Sequence, residues 1–365
     1  MKTIPVVSSL AALLVSGAAF ADFHADLAFH HAPVHYQDTD SSDYPSDFIT
    51  AFDYDSDWIA TNNWDHRAAG QWPATVYYSI VESCTHYFIT YAFFHPRDWS
   101  DIIVDQEHEN DLEGALMVVR KDGSAYGTLE GMITVFHTNF FSFTPAGSPL
   151  TDGNESIDGR VSFQDHNGVN RPKTVQEAKG HGLKAWPYTS DFDGGASQDG
   201  VVYFPTVGRP EYPASGNDRN VPYQLVDINR ANGLWSAALN DAKVSSSQAA
   251  TFHSWGRFKG DTSGGCGSGL KSCSKNAANA PWGWDDSDDG PSYRGEFALD
   301  PAHLVAHYFG GLGSFSQQYV RNPFLADLRA AGYSSSNPPR GFPSNLSLDA
   351  LYAKLESVCP ARSAH

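Results

Sequence analysis

Beyond its first twenty or so residues the chain has no apolar run that approaches the roughly 20 residues of a membrane-spanning helix. Basic residues are scarce, with 24 Lys and Arg against 42 Asp and Glu and a formal net charge of −18. Phosphate recognition draws on Lys and Arg, so nucleic acid is not an expected partner. There is no Gly-x-Ser-x-Gly elbow, and no Gly-rich phosphate loop or dinucleotide fingerprint in a strand-turn-helix setting, which sets aside serine hydrolases and nucleotide enzymes. Repeats at solenoid periods are missing as well.

The first residues form the one short hydrophobic run. Met1-Lys2, an apolar segment through Val15 and the exit Ala19-Phe20-Ala21 read as a secretory signal peptide, residues 1–21, cleaved after Ala21. The mature chain, 22–365, is therefore expected to be secreted and extracellular. It is long enough to bury a full core as one large domain. Cysteines number only four, Cys84, Cys266, Cys273 and Cys359, and suit an oxidising compartment. Of the three pairings they allow, the flexible Gly-Ser-Gly-Leu-Lys-Ser segment favours Cys266 with Cys273, leaving Cys84 for Cys359. Asn154-Glu155-Ser156 and Asn345-Leu346-Ser347 are glycosylation sequons, which would make a eukaryotic product a glycoprotein.

Aromatic residues make up 13% of the chain, which favours strands. Residues 22–75 read as irregular coil with short strands. From Val76 the pattern changes: 76–81 and 87–94 are β-branched and aromatic runs, followed by 115–120, a long run over 126–143, and 200–204. Asp122-Gly123 between two apolar runs is a hairpin signal. Residues 205–320 read as a loop-rich insertion and 321–365 as a helical tail. In these last segments Asp300-Pro301 starts a helix to Phe309, and Ser347 caps an amphipathic face of Leu348, Leu351, Tyr352, Leu355 and Val358.

Chemistry concentrates at Glu107-His108-Glu109-Asn110-Asp111-Leu112-Glu113. Ionisable groups this crowded need solvent, hydrogen bonds or a cation to offset their charging cost. On a strand Asp111 and Glu113 share a face, and His108 joins them only across a loop or bulge. Asp98 ends the preceding strand, and His181, flanked by two glycines, can supply a second imidazole. Such an oxygen-rich set favours one divalent cation, calcium or magnesium ahead of manganese or zinc. An enzyme built on it would use Glu113 or His181 as general base. A second ion loop is spaced as Asp285, Asp289 and Glu296. Asp53, Asp55 and Asp57 are spaced similarly but lack the turning Gly, and His303 and His307 lack the glutamate of a zinc-protease helix.

His108-Glu109-Asn110-Asp111-Leu112-Glu113 resembles the Gly-His-Arg-His-Asp-Trp-Glu heptapeptide of the necrosis- and ethylene-inducing peptide-like proteins. Phe93-Phe94-His95-Pro96-Arg97-Asp98 is similar to the family's strand ending in Pro-Lys-Asp, and Gly180-His181-Gly182-Leu183 to its Ser-His-Ala-Leu segment. The resemblance spans about 75–190, and Glu107, Glu109, Asn110 and Leu112 replace the heptapeptide's Gly, Arg, second His and Trp. It implies that Asp98 and Asp111 bind a divalent cation directly, with His108, Glu113 and His181 completing the shell largely through water. It also implies a secreted cytolysin-like protein recognising a sugar or phospho head group, a cell-surface glycan or lipid. The alternatives are a metal-dependent hydrolase on the same site and a non-catalytic carbohydrate-binding protein. The fold expectation is mainly β: an antiparallel β-sandwich with long loops and a few short C-terminal helices.

Overall fold

The computed structural model describes residues 23–40, 42–67, 70–187, 200–276, 278–287, 294–355 and 359. The expected signal peptide, Asp289 and Val358 lie outside the described residues. The main strands are β1 (Val34–Gln37), β2 (Thr75–Ser83), β3 (His86–Asp98), β4 (Gln106–Arg120), β5 (Thr128–Phe136), β6 (Asn139–Thr144), β7 (Val169–Gln176), β8 (Leu183–Ala185), β9 (Val201–Pro205), β10 (Val221–Asp227) and β11 (Ser272–Ser274). They join one curled sheet in the order β8-β7-β1-β9-β10-β2-β3-β4-β5-β6, with β11 added beside β4.

This corrects the expected antiparallel sandwich: the protein is mainly β, but its sheet is mixed. The β2-to-β6 meander is antiparallel. The pairs β7/β1, β9/β10 and β10/β2 are parallel. Parallel neighbours need long crossovers rather than tight turns, and no local turn signal announces them. The Asp122–Gly123 turn does join β4 to β5, but the run over 126–143 is two strands. His137, at φ 57°, turns the chain between them.

Strands β2 to β4 are buried on both faces, which explains their near-continuous apolar runs. Tyr77, Phe88, Ala92, Leu112 and Leu116 pack on one side with Trp235, Trp282, Phe297, Leu304 and Phe324 from the C-terminal third. Val76, Ile89, Tyr91, Phe93 and Met117 point the other way, into the curl, with Leu27, Tyr203 and Tyr223. Leu27 and Ala28 belong to a helix over 23–31, in a segment read as coil. Its pattern, Phe23 and Leu27 four apart, is too short to stand out without the sheet it packs on.

The C-terminal helices are Leu234–Asp241, Glu296–Leu299, Pro301–Tyr308, Pro323–Ala330 and Leu348–Tyr352. The Ser347 hydroxyl accepts from the Ala350 N–H as the expected cap, but this helix stops at Tyr352 and Leu355 instead bridges to Tyr319. Both expected disulfides form, Cys84 with Cys359 and Cys266 with Cys273.

Candidate functional site

The β3/β4 register sets His95 opposite Asp111 and Asp98 opposite His108. Between Asp111 and His108 stands Asn110 at φ 63°, in the left-handed region that breaks the two-residue alternation of a strand. The Asn110 side chain secures this kink, donating to the carbonyls of Ala60 and Lys259 and accepting from the Asn63 amide. His108 and Asp111, three residues apart, therefore line one pocket together with Glu113 and Asp98. This corrects the expected loop or bulge: β4 keeps an unbroken register with β3 from Asp111 through His108, and one residue in the left-handed region turns the side chains instead.

The pocket measures about 470 Å³ and is otherwise walled by Gln106, His137, Arg257, Trp284, Asp285 and Arg294. His108 Nε2 stands 3.1 Å from Asp98 Oδ2. Burial opposes charging of His108, but Asp98 and Asp111 lift it to about 9, so it is a cation at neutral pH. Asp111 accepts from its neighbour's N–H, Leu112, at 2.9 Å, and stands 3.0 Å from His181 Nδ1. Burial works against its charge, yet His181 and His108 hold its carboxyl below the usual range.

Glu113 differs. Its Oε1 accepts from the His137 N–H at 2.7 Å, while its Oε2 is buried with no hydrogen-bond partner. Burial pushes this carboxyl up to about 8 despite His137 beside it. Two carboxyls on one strand, two residues apart, thus diverge in proton affinity. His137, which sequence reasoning missed, also has Nε2 2.8 Å from Glu177 Oε1. Against burial, Glu113 and Glu177 lift it to about 11. The only signal for it was its place at a turn within an apolar run.

His181 stands behind the pocket wall. It is fully buried, with Nδ1 on Asp111, Nε2 3.3 Å from Asp47 Oδ1, and its ring stacked 3.7 Å from His95. Asp47, equally invisible from sequence spacing, also accepts from the Trp99 indole and the Lys179 N–H. The remaining heptapeptide carboxylates serve the fold. Glu107 receives Ser100 N–H, Gly267 N–H and the Lys271 ammonium, and Glu109 receives Trp64 and Asp261 N–H. Both tie β4 to the Cys266–Cys273 loop and its approach.

Of the second ion loop, Asp285 lines the same pocket, whereas Glu296 bonds His303. The 53–57 carboxylates are engaged separately: Asp55 with His66, Asp57 with Ile59 and Asn62, and Asp53 with Arg230. Among the described residues no three His, Cys, Asp or Glu donors converge as a ready-made metal shell. The donor set at the pocket nonetheless fits a hard cation: its oxygens come from Asp98, Asp111 and Glu113, one of them orphaned. Such an ion would be held partly through water.

Among the described residues no helix is long and apolar enough to cross a membrane. No family model and no curated protein matches the chain. Among solved structures it is similar to one described as a toxin fold for microbial attack and plant defense, at 17% identity and a TM-score of 0.26, covering 45% of this chain and 69% of that one. A necrosis and ethylene inducing protein from the causal agent of cocoa's witches' broom disease aligns at 14% identity and TM-score 0.23, covering 51% and 71%. A third, solved in complex with mannosamine, aligns at 15% identity and TM-score 0.27, covering 56% and 73%. The chain is thus distantly similar to the necrosis- and ethylene-inducing proteins whose heptapeptide its β4 strand resembles.

Proposed function

We propose that the protein binds a divalent cation, calcium or magnesium ahead of manganese or zinc, and with it a sugar or phospho head group at a lipid-bearing cell surface. The observation that carries this reading is the buried, unpartnered Glu113 Oε2 in the pocket it shares with Asp98 and Asp111. Buried polar atoms without partners are rare, and a cation would relieve this one. Asp98, Asp111 and Glu113 would hold the ion, and His181, anchored by Asp47, keeps Asp111 charged and oriented. When bound, the ion supplies open coordination positions for hydroxyl or phosphate oxygens.

A lipid surface is favoured by what flanks the pocket mouth. The loop between Asp98 and Gln106 exposes Ile102, Ile103 and Val104 at 56%, 72% and 67%, and Leu270 is 75% exposed in the neighbouring disulfide loop. Lys271 reaches the Ser100 carbonyl, and the Ser272 N–H donates to the Asp105 carbonyl, so the two loops stand together. A braced aliphatic tip beside a polar pocket suits shallow insertion while a head group is held.

Calorimetric titration with calcium and magnesium tests the cation, and sedimentation with zwitterionic vesicles bearing glycolipid tests the surface. Asp111→Asn is expected to lose cation binding and EDTA to release the vesicles. Ile103→Asp is expected to lose vesicles while still binding the cation. Cation affinity unchanged in Asp111→Asn, or vesicle binding indifferent to both EDTA and Ile103→Asp, would sink the reading.

The divergent protonation of Asp111 and Glu113 supports a second reading, a hydrolase with Glu113 as general base. It requires turnover of a phosphodiester, ester or glycoside that Glu113→Gln abolishes while cation binding persists.

A further inference from the structure

His303 and His307 lie one turn apart on the helix Pro301–Tyr308, and their rings meet: Nε2 stands 3.2 Å from Nε2. Two imidazole nitrogens bound to one tetrahedral ion at 2.0–2.1 Å are roughly 3.3 Å apart, so the pair already has the spacing of two ligands. Behind it, the Glu296 carboxylate, 1% exposed, lies 2.6 Å from His303 Nδ1. A carboxylate on the far ring nitrogen fixes the tautomer that presents the Nε2 lone pair, the arrangement that orients histidine metal ligands. On the other ring, the Asn154 amide is 2.9 Å from His307 Nδ1. Amide oxygen and nitrogen exchange by a simple flip, so Asn154 can accept from Nδ1–H and fix the matching tautomer.

We infer that His303 and His307 form a transition-metal site for zinc, copper(II) or nickel, with Glu296 and Asn154 as orienting partners and water filling the remaining positions. Imidazole pairs select these borderline ions, whereas the oxygen-rich pocket of Asp98, Asp111 and Glu113 selects hard ones, so the two sites separate by metal. Solvent access is open, since the His303 side chain is 29% exposed. Without metal the two Nε2 atoms stand within hydrogen-bond distance of each other. The two rings bind as neutral imidazoles, so any proton held between them leaves as the ion enters.

Copper(II) and zinc titrations of the untagged full chain, made without glycans because Asn154 heads a sequon, test the site. Copper(II) is expected to give an electron paramagnetic resonance signal with two coupled nitrogens, falling to one in either His303→Gln or His307→Gln. Each single variant is expected to weaken zinc at least tenfold, and Glu296→Gln by roughly 10–100-fold. Asp111→Asn is expected to leave zinc binding here unchanged, so failure of this site and failure of the pocket reading are distinguishable. A copper signal without two-nitrogen coupling, or zinc affinity indifferent to both histidine variants, overturns the inference.

Discussion

Glu113 and His137 meet through two groups: the His137 N–H donates to Glu113 Oε1 at 2.7 Å, and His137 Nδ1 lies 3.5 Å from the same oxygen. All of this support falls on Oε1, and Oε2 is left bare. In Glu113→Gln the amide keeps an acceptor for the His137 N–H and removes a desolvated charge. Without cation the variant is expected to be more stable than wild type at pH 9 by about 1 kcal/mol. Under the proposed function, millimolar calcium should raise the melting temperature of wild type and not of this variant, as read by calorimetry.

The buried histidines His31 and His35 should each remove stability as pH falls, against Glu113, His108, His137 and His181, whose raised proton affinities add it. Burial holds His31 down to about 4, against its hydrogen bond to the Tyr126 carbonyl, and His35 down to about 3. Both folded values lie below the unfolded 6.5, so at these two sites the unfolded chain binds more protons, and their contribution to stability falls as pH drops from about 6.5 toward 4. Each histidine contributes on the order of 3 kcal/mol across the full window. Urea midpoints at pH 7.5 and pH 5 in wild type and His35→Gln isolate the effect: the variant is expected to gain stability relative to wild type at pH 5, and an unchanged difference between the two pH values removes His35 as a cause.

The two disulfides should differ in weight. Cys84–Cys359 closes a loop of 275 residues and Cys266–Cys273 one of 7. Chain-entropy reasoning gives about 6 kcal/mol for the first and about 2 kcal/mol for the second. Serine pairs at each bridge, compared by denaturant midpoint, should rank in that order. If the short loop also braces Leu270 against Ile102–Val104, its loss should weaken vesicle binding more than its small stability effect suggests.

Gly114 has no room for a side chain. A Cβ there would sit 2.2 Å from the Tyr91 carbonyl and 2.6 Å from the Trp284 ring. Gly114→Ala is expected to cost 2 kcal/mol or more, roughly, by forcing Trp284 off β4. Because the Trp284 indole donates to the Leu112 carbonyl, quenching of its fluorescence should change as well.

β2, β3 and the second half of β4 were legible because burial on both faces writes apolar residues at nearly every position, whereas the polar and charged residues 106–110, read as a loop or bulge, extend β4. The cluster from His108 to Glu113 was legible because its charge density has no place in an ordinary strand. Asp47 and His137 were not, since a lone Asp before a Phe and a His at a turn carry no periodic signal until the sheet brings them to Asp111 and Glu113. The mixed topology was hidden for a related reason: Val34 pairs with Lys173 and His35 with Tyr203, and no sequence pattern specifies partners so distant.

That pairing sets the order of events in folding. β1 is among the first segments of the described chain, yet both its neighbours, β7 and β9, come from beyond residue 168. One wing of the sheet therefore cannot close around Val34–Gln37 until most of the chain is present, whereas the β2-to-β6 meander can assemble from consecutive hairpins. The meander should form first and the wing last, giving slow, late acquisition of protection at Val34–Gln37 in hydrogen exchange.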